Sequence, residues 1–212
     1  MLLTVHTFVS LDGVMQGPGG PEEDTSGGFT RGGWVVPYTD EGFGEIVSGW
    51  FAEAGAFLLG GTTYRLFDGY WPQVTDPADP VAGKLNRLPK YAVSTTLTDP
   101  GWAGTTVIAD DVVARVAALK QAEGGELQVH GSCGLIHTLH DAGLVDEYRL
   151  IVFPVVLGQG KRLFETGSSP AAFRLAASRT TDSGLLSLTL RPSGDVVQGD
   201  HTVVDGRDTP TL

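Results

Sequence analysis

Two short glycine-rich stretches carry the chemistry that this chain offers. Gly131-Ser132-Cys133-Gly134 follows an apolar run ending at Val129 and precedes a helical stretch around Ile136–Leu139. Gly60-Gly61-Thr62-Thr63 follows the apolar Ala56–Leu59 and leads into a helix predicted from Tyr64 to about Gly69. A turn between a strand's carboxyl end and a helix's amino end leaves backbone N–H groups unpaired. With the helix dipole, those groups favour a phosphate. Alone, Gly60–Thr63 also reads as a tight turn with Thr62 as a helix N-cap. Two such turns on one sheet edge suit an elongated dinucleotide, with Thr62 and Thr63 hydroxyls as further donors.

Other reactive side chains are few. Asp12, in Asp12-Gly13, is either a polar contact to substrate or cofactor or simply turn chemistry. His130 ends a strand beside the second glycine turn, where it either touches a ligand or is a satisfied buried histidine. Cys133, the single cysteine, excludes an intrachain disulfide and reads as a packing residue whose N–H matters more than its sulfur. His137 and His140 stand three apart on a helix, but no carboxylate or cysteine spacing supports a closed metal site, so no metal is expected. Lys161-Arg162 is a solvated hairpin or a partner-facing spot.

The elements that position these groups alternate. Residues 2–11, 56–59, 91–94, 106–108, 127–130 and 146–153 read as strands. Helices are predicted from Asp40, as N-cap, to a stop at Gly55, and over Asp110–Gln121 with Asp110 or Asp111 as cap. Residues 71–80 read as loop. Phe173–Ser178 and Leu185–Leu190 form a closing antiparallel hairpin around Ser183-Gly184. The expected fold is a three-layer α/β/α domain over residues 1–191, with a mixed, mostly parallel sheet. Residues 16–33 contain seven glycines and read as a mobile lid, and 192–212 as a mobile tail.

Composition narrows the partners. A formal charge of −11 without a basic run argues against nucleic acid. The tryptophans, Trp34, Trp50, Trp71 and Trp102, are too scattered for a base-stacking stripe. No charged-then-apolar leader opens the sequence, and no apolar run approaches the roughly 20 residues of a membrane span. A cytoplasmic protein acting on a small molecule is expected.

Four segments in order then carry a resemblance: FVSLDGVM at 8–15, LLGGTTYRLF at 58–67, KYAVSTTL at 90–97 and HGSCGLIHTLHDAGLVDEYRLIVFPVVLGQGKRLF at 130–164. Together they closely resemble the dihydrofolate reductase-like superfamily, nearest the reductase domain of the bifunctional riboflavin-biosynthesis deaminase/reductase. The resemblance implies an NADPH-dependent oxidoreductase transferring hydride to a small pyrimidine-, pterin- or flavin-like heterocycle. It places Gly60, Gly61, Thr62 and Thr63 on the cofactor phosphates and Ser94 and Thr95 along its adenosine. Gly131, Ser132, Cys133, Gly134 and Leu135 form the second turn, and backbone groups of Val9 and Ser10 face the nicotinamide carboxamide. It also implies a substrate-side and homodimer role for the segment around Gly158–Phe164.

The chain departs from that family in three places. Gly61 stands where relatives often carry an arginine for the 2′-phosphate, so Arg65 or the Ser94 and Thr95 hydroxyls must serve, or NADH replaces NADPH. No acid aligns with the classical proton donor: the matching position is Gly44, flanked by Asp40, Glu41 and Glu45. The riboflavin branch needs cations for a ribose 5-phosphate, and the loop up to residue 39 offers only Arg31. Asp12 is the one candidate catalytic carboxylate. Two rival readings stand beside the reductase: a nucleotide-binding protein that kept the fold without the chemistry, and a structural dimer module.

Overall fold

The computed structural model describes residues 1–211. In chain order its elements are β1 (Leu3–Ser10), α1 (Glu41–Ala52), β2 (Ala54–Gly60), α2 (Gly61–Tyr70), α3 (Pro80–Arg87), β3 (Lys90–Val93), β4 (Thr105–Ile108), α4 (Val112–Lys120), β5 (Glu126–His130), α5 (Cys133–Asp141), β6 (Glu147–Phe153), β7 (Ala172–Thr180), β8 (Leu186–Gly194), β9 (Asp200–Val204) and β10 (Arg207–Thr211). Eight strands make one sheet in the order β4-β3-β2-β5-β1-β6-β8-β7. Neighbours from β4 to β6 run parallel, whereas β8 is antiparallel to both β6 and β7. This is the expected mixed, mostly parallel sheet with a closing hairpin.

Side-chain alternation divides the strands between two cores. Leu3, Val5 and Val9 of β1, with Leu127 and Val129 of β5, pack with α4 and α5 through Val116, Leu135, Ile136 and Leu139. On the opposite face Phe8 packs with α1 through Phe43, Ile46, Val47 and Trp50. A third cluster joins Phe51, Phe57, Leu59, Tyr64, Leu85 and Trp102 around α2 and α3. β5 is buried along its whole length, as a strand must be when inserted between β2 and β1.

Several boundaries differ from expectation for local reasons. Asp40 does cap α1, accepting from Phe43 N–H at 2.7 Å. Gly55, expected to stop that helix, lies in β2 beside a register shift. A Cβ there would sit 2.8 Å from Gly125 N, so the glycine lets two backbones meet. Helix α3 was not anticipated. Asp79 caps it and Pro80 opens it, so the Asp- and Pro-rich run that reads as loop is also a helix start. Asp111 does occupy the N-cap position of α4, left-handed at φ +46°, but its side chain makes no capping bond, and Asp110 accepts from Arg115 instead.

The glycine-rich segment after β1 is a folded structure with its own core. Val14, Phe29, Trp34 and Val35 are all buried against Phe153 and Leu157. Gln16 ties it together: its Nε2 donates to Asp24 O and Ser26 O, its Oε1 accepts from Lys161 N, and its backbone O accepts from Trp34 Nε1. The expectation of a lid almost without apolar packing is therefore corrected. Composition hid this because one phenylalanine anchors eighteen residues.

The chain beyond residue 191 also differs from a plain tail. β8 continues to Gly194, and residues 200–211 pair as the separate β9–β10 hairpin, which is exposed nearly throughout. Leu212 lies outside the described residues.

Phe29 is 2% exposed. Phe29→Ala should lower unfolding stability by about 3 kcal/mol, the range for truncating a buried phenylalanine. A urea midpoint unchanged from the parent would remove the segment from the core.

Candidate active site

The two glycine turns are laced into one unit. Gly60 N–H donates to Ser132 Oγ at 2.9 Å, Ser132 N–H donates to Thr63 Oγ1 at 3.0 Å, and Ser132 Oγ donates to His130 O at 2.9 Å. Helix α2 begins at Gly61 with no side-chain cap, so Thr62 is not its N-cap. Helix α5 begins at Cys133, again uncapped, after Ser132 at φ +61°. The first N–H groups of both helices, in Gly61, Thr62, Thr63, Cys133, Gly134 and Leu135, therefore have no intrahelical partner. Both turns line one cavity of about 990 Å³. Gly131 is also left-handed, and a Cβ there would stand 3.3 Å from Thr63 Oγ1.

The cavity meets β1 earlier than expected. β5 pairs with β1 only over Leu3–His6, whereas β6 pairs with it as far as Ser10. The edge of β1 from Thr7 onward is therefore open on the β5 side, and His6, Thr7 and Phe8 line the cavity. Val9 instead points into the α4–α5 core. Ser10 spends its N–H on Val14 O and its carbonyl on Gly13 N–H. Neither Val9 nor Ser10 is among the cavity-lining residues, a correction to the carboxamide assignment.

Asp12 is likewise corrected. Its carboxylate accepts from Ser10 Oγ, Leu157 N and Gly158 N and pairs with Arg162 at 3.2 Å. Burial opposes ionisation, but the Ser10 hydroxyl and the two backbone N–H groups outweigh it and hold the carboxyl well below its usual range. Asp12 clamps two turns together and does not line the cavity. The carboxylates of α1 are also elsewhere: Asp40 is the helix cap and Glu45 pairs with Arg179.

Ser94 and Thr95 lie at the end of β3, just outside the cavity lining. Ser94 Oγ accepts from Thr96 N and Leu97 N, and Thr95 is exposed. A Cβ on Gly61 would stand 3.1 Å from Ser94 Oγ, so an alanine there already crowds the turn. Arg65 folds back across that turn, donating to Gly61 O at 3.3 Å and to Thr96 Oγ1 at 2.8 Å. The Arg65 guanidinium and the Ser94 and Thr96 hydroxyls thus gather beside the first helix terminus.

The inner end is aromatic. Phe8, Phe43, Trp50, Phe51, Phe67 and Trp71 line it together with His6 and His130. The two imidazoles stack at 4.9 Å, and His130 stacks on Phe51 at 4.6 Å. Beneath them a buried polar ladder runs along one face of β1, β5 and β6. Gln128 Nε2 donates to Trp50 O and Glu126 Oε2, both pure acceptors, so its Oε1 must accept from His130 Nε2. Arg149 bonds both oxygens of Glu126 and also Glu147, which pairs with Arg191. Sequence reading found His130 but missed His6, because a lone histidine inside a strand-like run carries no motif.

The outer end gathers Cys133, His137 and Glu165, whose ligand atoms lie within 4.8 Å of one another. His137 Nε2 is 2.9 Å from Arg162 O and serves as its donor. Burial, helped by Glu165, pushes the Cys133 thiol up to about 11. His140, paired with His137 in the sequence, instead bonds Tyr148 and Ser169 O.

With this geometry in place, comparison with known proteins is decisive for family. The model of the RibD C-terminal domain matches residues 2–187. The chain belongs to the RibD C-terminal domain family. The chain is 29% identical over 188 residues to the uncharacterized protein YyaP of Bacillus subtilis (strain 168), covering 88% of this chain and 92% of that protein. Its fold is similar to a putative riboflavin biosynthesis protein from Shewanella sp. PV-4, with a TM-score of 0.66, 19% identity and coverage of 91% and 99%. It is also similar to dihydrofolate reductase from Enterococcus faecalis complexed with NADP(H), with a TM-score of 0.57, 12% identity and coverage of 90% and 96%. The dihydrofolate reductase-like fold and a reductase-type family follow. Among the described residues no helix is long and apolar enough to cross a membrane.

The buried histidines set a pH dependence. Burial pushes His130 down to about 3, and burial, then His130 and Arg149, push His6 well below its usual value. The unfolded chain, with imidazoles near 6.5, binds protons that the folded chain refuses. Stability contributed by these neutral rings is complete above about pH 6.5 and declines as pH falls toward 3. Between pH 7.5 and 5.5 the loss should be on the order of 1 kcal/mol per imidazole. Denaturation of the parent and of His130→Phe at both pH values checks this, and an identical pH slope in the two would refute it.

Proposed function

We propose that this domain is an NADPH-dependent oxidoreductase that reduces a C=N or C=O group of a small heterocycle. The observation that carries the reading is the laced pair of uncapped helix termini, α2 and α5, opening on one cavity with the free edge of β1. A pyrophosphate fits between those termini, because Gly60, Gly61 and Gly131 keep Cβ atoms out of the space beside Ser94, Ser132 and Thr63. The N–H groups of Gly61–Thr63 and Cys133–Leu135 serve as phosphate donors. Arg65, Ser94, Thr95 and Thr96 receive the 2′-phosphate, taking the place of the arginine that Gly61 lacks. Backbone groups of Thr7 and Phe8 receive the carboxamide. NADPH supplies the hydride when bound.

The protein's contribution is orientation and exclusion of water. The folded segment from Val14 to Val35 walls the cavity with Met15, Gln16 and Gly17–Gly19, while the aromatic inner end holds the acceptor ring flat against the cofactor. Asp12 is clamped outside the cavity, Asp40 caps α1 and Glu45 pairs with Arg179, so none of these three supplies the proton.

One observation favours a second reading. Of the carboxylates among the described lining residues, Asp24 is paired with Lys161 and Glu23 accepts from the N–H groups of Gly19 and Gly20, which suits a nucleotide binder without turnover.

Titration with NADPH and NADH, followed by tryptophan quenching and melting temperature, separates these readings from a structural module. At about 100 times its dissociation constant, NADPH should add about 2.7 kcal/mol of stability. Absence of binding to either nucleotide would end the cofactor assignment, and binding without oxidation by any acceptor would favour the second reading. Arg65→Ala should weaken NADPH about tenfold while leaving NADH unchanged. Equal losses for both would place Arg65 away from the 2′-phosphate. Gly131→Val should abolish binding of both, since a β-branched residue resists φ +53° and meets Thr63; retained binding would remove that turn from the site.

A further inference from the structure

Two proton donors from one face of α5 converge on a single carbonyl, Arg162 O. Cys133 and His137 stand one helical turn apart, so their side chains are neighbours on that helix. Cys133 Sγ reaches Arg162 O at 3.2 Å and His137 Nε2 reaches it at 2.9 Å. The sulfur and the nitrogen lie 3.6 Å from each other. Each spends its proton on the carbonyl, so no proton is shared between them. A Zn–S bond of about 2.3 Å and a Zn–N bond of about 2.0 Å, at a tetrahedral angle, set sulfur and nitrogen about 3.5 Å apart. The two side chains already stand at that spacing.

Glu165 completes the set. It follows Leu163-Phe164, and its carboxylate oxygen, Cys133 Sγ and His137 Nε2 all lie within 4.8 Å of one another. Its backbone N–H donates to Ser168 Oγ, which fixes the turn it sits in. Lys161, four residues earlier, is held by Asp24 at 2.6 Å, and Glu165 makes no ion pair among the described residues. All three side chains line the cavity, where Glu23, Asp24 and Glu165 face the single lysine, Lys161. A cation is what that balance of charge lacks.

We propose that Cys133 Sγ, His137 Nε2 and a Glu165 oxygen bind one divalent ion of the zinc class, with Arg162 O as the fourth donor. On binding, the thiol proton leaves to solvent and the imidazole proton moves from Nε2 to Nδ1. The carbonyl exchanges two hydrogen bonds for one coordinate bond. Thiolate and carboxylate together cancel the two charges of the ion. A sulfur and an imidazole among the donors suit Zn²⁺, whereas Mg²⁺ and Ca²⁺ take oxygen. The ion ties the first turns of α5 to the loop that follows Gly158–Gly160, stapling the outer rim of the cavity. Such a staple serves a reductase and a nucleotide binder alike.

The full chain, stripped with EDTA and kept reduced, would be titrated with Zn²⁺ against a chromophoric chelator and separately with Co²⁺. One equivalent of Zn²⁺ should bind and raise the melting temperature. Co²⁺ should give a thiolate-to-cobalt charge-transfer band and the intense visible absorption of four-coordination. Cys133 is the single cysteine, so that band has one possible origin. Losing a ligand costs at least as much as losing a partner behind one, so Cys133→Ala should weaken Zn²⁺ about a hundredfold and abolish the band. Glu165 is exposed, and Glu165→Gln should spare the fold while weakening Zn²⁺ about tenfold. His201→Ala removes the exposed His201–Asp208 pair and should leave affinity and band unchanged. Failure of both ions to bind, a six-coordinate cobalt spectrum without the band, affinity indifferent to the Cys133 or Glu165 change, or affinity lost in His201→Ala would overturn the proposal.

Discussion

Ser132 holds a conformation that its side chain alone would not choose, and the site depends on it. At φ +61° it ends β5 abruptly, while its hydroxyl bonds His130 O and Gly60 N–H and its own N–H reaches Thr63. A non-glycine residue in the left-handed region costs on the order of 1 kcal/mol or more. Three hydrogen bonds offset that cost. They fix the spacing of two helix termini whose turns, at Gly60 and Ser132, stand 72 residues apart in the sequence. Stopping β5 at His130 also frees the edge of β1 beyond His6, so one residue's geometry opens the cavity both at the helix termini and along β1.

A second constraint runs under the first. The face of β1, β5 and β6 that supports the inner cavity is polar, although it is buried beneath α1. Thr4, His6, Glu126, Gln128, His130 and Glu147 are all at most 7% exposed. Such a network is stable only when its members satisfy one another, because the low dielectric punishes any group left out. Here the guanidinium of Arg149 compensates Glu126, and the ladder stays satisfied until it reaches the cavity. The single shortfall, His6 Nδ1, is shut inside the ladder with the stacked ring of His130 beside it.

Much of this architecture is legible in the residues. The strand-to-helix turns, the alternation of Leu3, Val5 and Val9 against Thr4, His6 and Phe8, and the cap at Asp40 are local signals that tertiary contacts reinforce. Legibility fails where a distant partner decides. Asp12 looks like chemistry in sequence because the groups that occupy it, Leu157 and Gly158, are 145 and 146 residues away. The segment from Val14 to Val35 looks mobile because glycine content masks the anchoring by Phe29 and Gln16. His6 is invisible because its meaning comes from stacking on His130, across a strand pair that periodicity cannot assign.

That strand pairing also has a bearing on how the molecule is made. β1 comes first in chain order among the strands of its sheet, yet its two neighbours are β5 and β6, so Leu3 must wait for Leu127 and Thr4 for Glu147. Pairings this remote in sequence carry a large loop-closure cost and form slowly. A nascent chain therefore carries an unpaired apolar strand until most of the domain has been translated, and the cavity cannot exist before then. The centre of the finished sheet is the part of the growing chain most exposed to mispairing.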